Sequence, residues 1–144
     1  AIFTTWTTYG TWLPGDARGW IQRGVGLRDM NAWVEFVSQL RMTATAVRLN
    51  DDQRRIVEST ITEHCTIRNW RLLSVNCRTN HVHVLVAADV KVIETPREQF
   101  KAWCTRKLKP TDPGRIDWWT ERGWDEYVDD EESLARVIEY IRDQ

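Results

Sequence analysis

The chain has 144 residues, of which 42% are hydrophobic and 28% are charged, and its formal net charge is −1. This balance is typical of one globular domain with a hydrophobic core, and it excludes an intrinsically disordered chain. No apolar run approaches the roughly 18 residues that a membrane span needs, and no secretory leader pattern is present. We therefore expect a cytoplasmic protein without membrane contact.

The charged residues are unevenly distributed along the chain. Residues 97–115 are rich in lysine and arginine, whereas residues 125–132 carry only acids among their charged side chains. A net charge near zero argues weakly against a nucleic-acid-binding protein, but a local basic face is compatible with it. The three cysteines form no CxxC pair, so we expect buried, reduced thiols rather than a zinc site or disulfides.

The nine tryptophans are unusually many for a core of this size. Several lie in sequence that is typical of loops, close to basic residues. Aromatic side chains in such places stack on the bases of single-stranded nucleic acid. Packing at the seams of a small domain explains them equally well, and composition alone leaves both interpretations open.

The first third of the chain is predicted to start with a strand and a loop. Residues 2–8 (IFTTWTT) are β-branched and aromatic, which favours a strand. Residues 9–20 (YGTWLPGDARGW) form a predicted loop, and Pro14-Gly15 suits a type II turn. Residues 31–45 allow a helix, although their apolar pattern is poor.

A helix and a hairpin are predicted in the middle of the chain. Asn50 is a predicted N-cap, with a glutamine at the capping-box position, and the helix should end near Asn69. Residues 70–78 and 81–87 (HVHVLVA) are rich in strand formers, and Thr79-Asn80 between them suits a tight hairpin turn.

The last third is predicted to contain a helix, a short strand and a final helix. Thr95 is the predicted cap of the first helix, with Pro96 at its first position and Leu108 near its end. Residues 112–123 are turn-rich, and residues 123–128 are a strand candidate. The final helix is predicted to start at Asp129 or Asp130, with Leu134, Val137, Ile138 and Ile141 on its buried stripe.

This order of elements predicts a single α+β domain over residues 1–144. Helices that alternate with mostly antiparallel strands are typical of a ferredoxin-like sandwich, in which helices pack on an antiparallel sheet.

His81 and His83 are the first candidates for chemistry. Residues two apart on a strand point to the same face, so both imidazoles should lie side by side while Val82 and Val84 face away. Two neutral imidazoles make a good pair of ligands for a divalent ion. A solvated sheet face that carries two histidines is the alternative.

The final helix offers complementary residues. Tyr140 and Gln144 are four apart, which places them on one helix face, and Tyr140 lies at the edge of the buried stripe. A tyrosine at such an edge keeps an accessible hydroxyl. Taken alone, it is more often a packing residue.

Taken together, these segments resemble the HUH single-tyrosine transposases. The resemblance is carried, in this order, by TTYGTWLPGDARGW, RNWRLLSVNCRTNHVHVLV, FKAWCTRKL and SLARVIEYIRDQ. The nearest branch is that of the REP-associated tyrosine transposases and their insertion-sequence relatives. The resemblance covers most of the chain apart from about residues 23–49.

The resemblance implies a ferredoxin-like HUH endonuclease fold and a metal-dependent strand transferase. It implies that His81 and His83 bind a divalent cation, Mg²⁺ or Mn²⁺, and that Tyr140 is the nucleophile that forms a 5′-phosphotyrosine intermediate. Gln144 matches the position from which insertion-sequence members supply a third ligand. The implied partner is single-stranded DNA with hairpin repeats, bound by a monomer or homodimer in the bacterial cytoplasm and nucleoid.

Two regions are candidate DNA contacts. The first is the loop at residues 9–20, with Trp12, Arg18 and Trp20. The second is a basic helix face predicted to carry Arg97, Lys101 and Lys107. A solvated surface is the alternative for each. His64 lies outside the motif and is interpreted as incidental.

Three other functions remain as alternatives. A noncatalytic nucleic-acid-binding module of the same fold would suit a chain that had lost its tyrosine or a histidine, and here all three are present. A 2H-type phosphoesterase needs two separated H-x-T/S motifs, which this chain lacks. A plain structural domain leaves the ordered resemblance unexplained.

Overall fold

The computed structural model describes residues 1–11, 20–22, 26–29, 31–40, 42 and 46–144. Its main sheet has four strands with helices on both faces. The elements are β1 (Ile2–Thr7), β2 (Trp20–Gln22), β3 (Gly26–Arg28), α1 (Ala32–Leu40), α2 (Asp51–Arg68), β4 (Arg71–Cys77), β5 (His81–Ala87), α3 (Thr95–Leu108), a 3₁₀ turn (Lys109–Thr111), β6 (Trp124–Tyr127) and α4 (Glu131–Arg142).

The main sheet has the strand order β4-β5-β1-β6 and is antiparallel throughout. Along the chain, the connection from β1 to β4 includes α2. In the sheet, β5 lies between these two strands. This is the split β-α-β arrangement of ferredoxin-like folds. The predicted fold class is therefore confirmed.

One face of the sheet is covered by α2 and α3. Alternate residues of β1 are buried, which matches the period of two along a strand. Trp6 and Val84 from the sheet pack in one core cluster with Ile61 of α2 and Phe100 of α3. Burying these apolar side chains supplies most of the driving force for this layer, at roughly 25 cal/mol per Å² of apolar area.

The opposite face is covered by α4. Leu85 of β5 and Ile141 of α4 are fully buried in a second, smaller cluster, against which Phe3 and Val137 pack. Because helices lie on both faces, the inner residues of β5 are buried whichever way they point. The near-continuous apolar run VLVA that ends β5 has this physical cause.

The start of α2 follows its sequence signals closely. The side chain of Asn50 accepts a hydrogen bond from the backbone N–H of Gln53 (2.8 Å), and the Gln53 side chain accepts one from the backbone N–H of Asn50 (3.0 Å). This reciprocal pair is the predicted capping box. Asn69 ends the helix in the left-handed conformation with φ 57°, which asparagine tolerates better than most residues.

The predicted cap of α3 is wrong by one residue. Thr95 is the first helical residue, and Glu94 precedes it in a right-handed conformation without a side-chain cap. The backbone N–H of Thr95 donates to the carbonyl oxygen of Val92 (3.0 Å), so the chain is already turning before the helix starts. An N-cap needs extended backbone, which this turn does not provide.

Two further differences concern the end of α4 and a small second sheet. The helix α4 ends at Arg142, so Gln144 lies just beyond it rather than on it. The small sheet formed by β2 and β3 was not predicted, because each strand has only three residues. The helix α1 lies inside the range that the sequence allowed.

The cysteines are free and buried, as expected. Burial raises the pKa of the Cys65 thiol to about 11 and, with the nearby charge of Glu58, that of Cys77 to about 12. These thiols therefore stay protonated at neutral pH. No helix in the described ranges is long and apolar enough to cross a membrane.

We predict that Gly123→Ala destabilises the fold by about 1–3 kcal/mol, because a Cβ there would overlap the carbonyl oxygen of Thr5 and lie 2.6 Å from Cδ of Arg97. Gly114→Ala is the matched control, since a Cβ at Gly114 meets nothing within 4 Å. Urea unfolding should show a clearly lower free energy of unfolding for Gly123→Ala. For Gly114→Ala this free energy should change by less than about 0.5 kcal/mol. Equal stabilities would contradict the close packing at Gly123.

Candidate active site

The strand β5 brings His81 and His83 together. Their ring centroids are 4.7 Å apart, at an interplanar angle of 67°. Both point to the α4 face of the sheet, where His83 also contacts Phe3 at a centroid distance of 6.0 Å. The predicted pairing of the two imidazoles on one face is confirmed.

Asn80 orients the first histidine. Its carboxamide oxygen lies 2.7 Å from Nδ1 of His81. An amide oxygen only accepts, so Nδ1 of His81 carries the proton of this contact. Partners of this kind fix the tautomer and ring orientation of metal-binding histidines. The residue directly before the HVH motif therefore has an orienting role that spacing alone did not predict.

His83 is held in a drier environment than His81. It is 7% exposed, and burial, with a smaller contribution from His81, lowers the pKa of its imidazole to about 4. The ring is therefore neutral at neutral pH, as a metal ligand must be. Its Nδ1 is buried and has no hydrogen-bond partner in the part of the chain that the structure describes.

Tyr140 lies beside this pair. Its ring centroid is 5.4 Å from that of His83, and it meets the Phe3 ring edge to face at 6.2 Å. The side chain is 49% exposed, so one side packs while the other faces solvent. The edge position that the helical pattern predicted is confirmed. The tertiary structure thus brings together residues from distant parts of the chain in one histidine–tyrosine cluster, formed by His81, His83 and Tyr140.

Asn76 fixes the helix that carries Tyr140. It pairs with His83 across β4 and β5, and its Nδ2 donates to the carbonyl oxygen of Ile141 (2.8 Å). This bond satisfies one of the orphan carbonyls at the end of α4 and holds the helix over the histidines. Asn76 was not predicted as a functional residue, because β4 also contains Arg71 and Ser74 and so Asn76 is not conspicuous in its sequence.

Gln144 remains close to Tyr140 although it lies outside the helix. Its Nε2 donates to the carbonyl oxygen of Tyr140 (3.2 Å). This bond uses the amide nitrogen, so the amide oxygen is the atom that a cation would take. The predicted stacking on one helix face is replaced by this backbone contact.

The donor set fits a divalent cation. Across the described ranges, no group of three His, Cys, Asp or Glu side chains is arranged to hold a metal. The site instead offers two imidazoles 4.7 Å apart, one with an orienting amide and one with a buried nitrogen that lacks a protein partner. Imidazole nitrogens bind divalent transition ions, and amide and water oxygens suit Mg²⁺ and Mn²⁺, so this mixed donor set fits a divalent cation.

The predicted basic face of α3 is not formed. Arg97 is 5% exposed and is paired with the carboxylate of Asp125, with Nη2 to Oδ2 at 2.8 Å. Lys101 donates to the carbonyl oxygens of Thr120 (2.7 Å) and Glu121 (3.2 Å), and burial lowers the pKa of its ammonium. Both cations therefore hold the segment that leads into β6.

Lys107 alone of these three is exposed. It is ten residues from Arg97 along the helix, which at 100° per residue turns it to a different face. The other proposed DNA contacts are in the loop at residues 9–20. Trp12 and Arg18 are outside the described residues, and Trp20 lies in β2, where only the backbone is described. Their contact with DNA stays a prediction.

The described tryptophans differ in burial, and base stacking by the exposed ones stays a prediction. Trp6 and Trp118 are buried in the core, whereas Trp124 is 54% exposed at the start of β6. His64, interpreted as incidental, is buried and bonded through Nε2 to Gln99 Oε1 (2.7 Å). It lies outside the histidine–tyrosine cluster.

Comparison with known proteins identifies the family. Residues 36–144 match the family described as transposase IS200-like, and the chain belongs to this family. No match was found among curated proteins. The match includes both histidines, Tyr140 and Gln144.

Two solved structures share the fold. A REP-associated tyrosine transposase bound to a REP hairpin has a TM-score of 0.58 and 12% sequence identity, covering 97% of this chain and 62% of its own. This chain thus spans less than two thirds of that protein. A structure described as a transposase of Deinococcus radiodurans R1 has a TM-score of 0.54 and 15% identity, covering 99% and 88%.

We predict that Arg97→Ala lowers stability by about 3–5 kcal/mol, since it leaves the Asp125 carboxylate buried without its cation. Lys107→Ala, on the exposed part of the same helix, should change stability by less than about 0.5 kcal/mol. Thermal and urea unfolding of both variants test this. Wild-type stability of the Arg97 variant would contradict a structural role for the buried pair.

Proposed function

We propose that this chain cleaves and rejoins single-stranded, hairpin-bearing DNA through a covalent bond to Tyr140. In this proposal His81 and His83 hold a divalent cation, Mg²⁺ or Mn²⁺, with Gln144 as a third ligand. The family supports transposition as the class of function. The proposal goes further by assigning the chemistry to named residues.

The observation that carries the proposal is the distance between Tyr140 and the histidine pair. A half-exposed tyrosine ring lies 5.4 Å from the ring of His83, which itself lies 4.7 Å from the ring of His81. A phosphate that contacts a cation held by the imidazoles would therefore lie within reach of the Tyr140 hydroxyl. Such proximity removes much of the entropic cost of bringing nucleophile and phosphate together.

When bound, the cation would polarise the scissile phosphate and offset the negative charge that develops on it. The protein supplies the remaining requirements. Asn80 fixes the ring orientation of His81 through the 2.7 Å contact at Nδ1. Asn76 and Phe3 hold α4 and the tyrosine ring in position, so little reorganisation is needed before attack.

The reaction balances as a transesterification. The phenolic oxygen of Tyr140 forms a bond to phosphorus, and the bond from phosphorus to the 3′ oxygen breaks. The phenolic proton is released, and the departing 3′ oxygen becomes a free hydroxyl. The 5′-phosphotyrosine retains the phosphodiester energy, so attack by another 3′ hydroxyl rejoins DNA and restores Tyr140.

Hairpin DNA is proposed as the substrate class on the strength of the fold comparison. A protein that shares this fold is bound to a REP hairpin. Single-stranded flanks beside such a hairpin would give the tyrosine access to an unpaired phosphodiester. The exposed half of the Tyr140 side chain is consistent with an open approach for such a strand.

We predict that wild-type protein binds Mn²⁺ and that Asn80→Ala weakens this binding by about 10- to 100-fold, the usual effect of losing an orienting partner. Asn80→Asp keeps an acceptor oxygen against His81 and should retain most of the affinity. Isothermal titration calorimetry with Mn²⁺ measures both. His81→Ala and His83→Ala should abolish binding.

Equal Mn²⁺ affinities for wild type and the Asn80→Ala variant would contradict the orienting role of Asn80. Unchanged binding in the two histidine variants would place the metal elsewhere. Circular dichroism confirms that each variant is folded before the titration is interpreted.

We predict that Tyr140→Phe abolishes a covalent protein–DNA adduct while it preserves fold and DNA binding, because the ring still packs on Phe3 and His83. The substrate is a pool of hairpins with randomised single-stranded flanks, labelled at either end and incubated with Mn²⁺ or EDTA. Denaturing gels should show a Mn²⁺-dependent adduct that carries the 3′ label and a released 5′-labelled fragment.

Tyr127→Phe is the matched control, since Tyr127 is also exposed, at 57%, and lies away from the histidines. It should form the adduct as wild type does. Hairpin binding without an adduct in wild type would overturn the catalytic proposal and favour a noncatalytic hairpin-binding module.

A further inference from the structure

A single row of residues crosses the main sheet through the candidate site. His83 pairs with Asn76 of β4 on one side and with Thr5 of β1 on the other. Thr5 pairs in turn with Trp124 of β6. Directly paired residues in an antiparallel sheet point to the same face, so Trp124 shares the face of the histidine pair.

Among the described elements, α4 packs chiefly on β4 and β5, so this helix leaves the β6 end of the row uncovered. Trp124 is 54% exposed there. Adjacent strands are about 4.8 Å apart, which puts the backbone of Trp124 about 10 Å from that of His83. At a rise of at least about 3.4 Å per nucleotide, a DNA strand covers this distance in at most about three nucleotides.

The backbone around Trp124 is held from both sides. The next residue, Asp125, is bonded to Arg97 and accepts from the hydroxyl of Thr4 (2.6 Å). The preceding residue, Gly123, packs against Thr5 so closely that a Cβ would overlap it. An indole on such a rigid support loses little further conformational freedom when a ligand stacks on it.

The charges near Trp124 suggest the direction in which the backbone of a bound DNA strand passes it. Arg122 is exposed two residues before it and lines, with Trp124 and Arg97, an open cavity of about 430 Å³. Glu126 is exposed two residues after it on the same face, and Glu94 also lines the cavity. Phosphates are attracted toward Arg122 and repelled from Glu126.

We infer that Trp124 is a stacking platform for an unpaired DNA base one to three nucleotides from the cleaved phosphate. This inference rests on the proposed function, since it takes the scissile phosphate to lie at the histidines. The occupant is a nucleobase because a flat, half-exposed indole on an open sheet accepts any base by its π-face. The backbone of that nucleotide passes on the Arg122 side.

The strand β6 itself provides the matched control. Tyr127 is an aromatic residue of similar exposure, 57%, on the same strand. It pairs with Ile2, whose side chain points into the opposite core layer, so it faces away from the histidines. A general effect of losing an exposed aromatic residue from β6 would appear in both variants.

The test uses Tyr140→Phe protein, so that cleavage is not required, and the same hairpin pool with 5-iododeoxyuridine in its single-stranded flanks. After irradiation, peptide mapping should find the principal aromatic crosslink of β6 at Trp124 and none at Tyr127. Trp124→Ala should weaken binding of the pool by roughly 5- to 100-fold, the range for loss of one stacked base, whereas Tyr127→Ala should leave it unchanged. Trp124→Phe should recover most of the affinity.

Crosslinks that avoid Trp124, or equal affinities for the Trp124→Ala and Tyr127→Ala variants, would overturn the inference. Thermal unfolding of each variant separates lost stacking from lost folding. The adduct assay with wild type is independent of these results: an adduct without a Trp124 contact refutes the platform alone. A Trp124 crosslink without an adduct refutes the cleavage chemistry and, with it, the distance from a cleaved phosphate, while base stacking on Trp124 stands.

Discussion

The pairing of β1 with both β5 and β6 is the constraint on which the rest of the structure depends. Thr5 is the shared partner of His83 and Trp124, so the register of a single strand aligns both. A slip of one residue would turn every side chain of the slipped strand to the opposite face. The two apolar core layers, one on each face, oppose such a slip because it would remove Ile2 and Trp6 from the layer in which they are buried.

The position of Tyr140 depends on how α4 is held on the sheet. Apolar packing of Ile141 and Leu85 is strong but nondirectional, whereas the bond from Asn76 to the Ile141 carbonyl is directional. Together they place the tyrosine ring next to His83 while half of it stays in solvent. A nucleophile needs both conditions: a fixed distance from the histidines and open access for a strand.

Buried charge in this protein serves architecture more than recognition. Arg97 and Asp125 neutralise each other under the sheet edge. Lys101 donates to two carbonyl groups in the segment that leads into β6. These contacts hold β6 beside β1, and β6 in turn presents Trp124. A net charge of −1 is consistent with this use of cations, because basic residues that hold the fold together do not add to a DNA-binding surface.

The sequence by itself determined the elements with strong local signals and one half of the site. Period-two geometry placed His81 and His83 on one face, and the Asn50 capping box located the start of α2, because both depend on neighbours within a few residues. The order of elements was sufficient for the fold class. Tyr140 was recognisable from its position on α4 and from the family resemblance. Its distance from His83 could not be predicted from the sequence.

Tertiary structure decided everything that depends on contacts between distant residues. The sequence showed Arg97 and Lys101 as cations on a helix. Only the packing revealed that Arg97 forms an ion pair with Asp125 and that Lys101 donates to the Thr120 carbonyl. Asn76, one of several polar residues in β4, acquired a role only through its bond to α4. Trp124 acquired its relation to the histidines through two strand pairings that join residues far apart in the chain, and local patterns carry no information about such register.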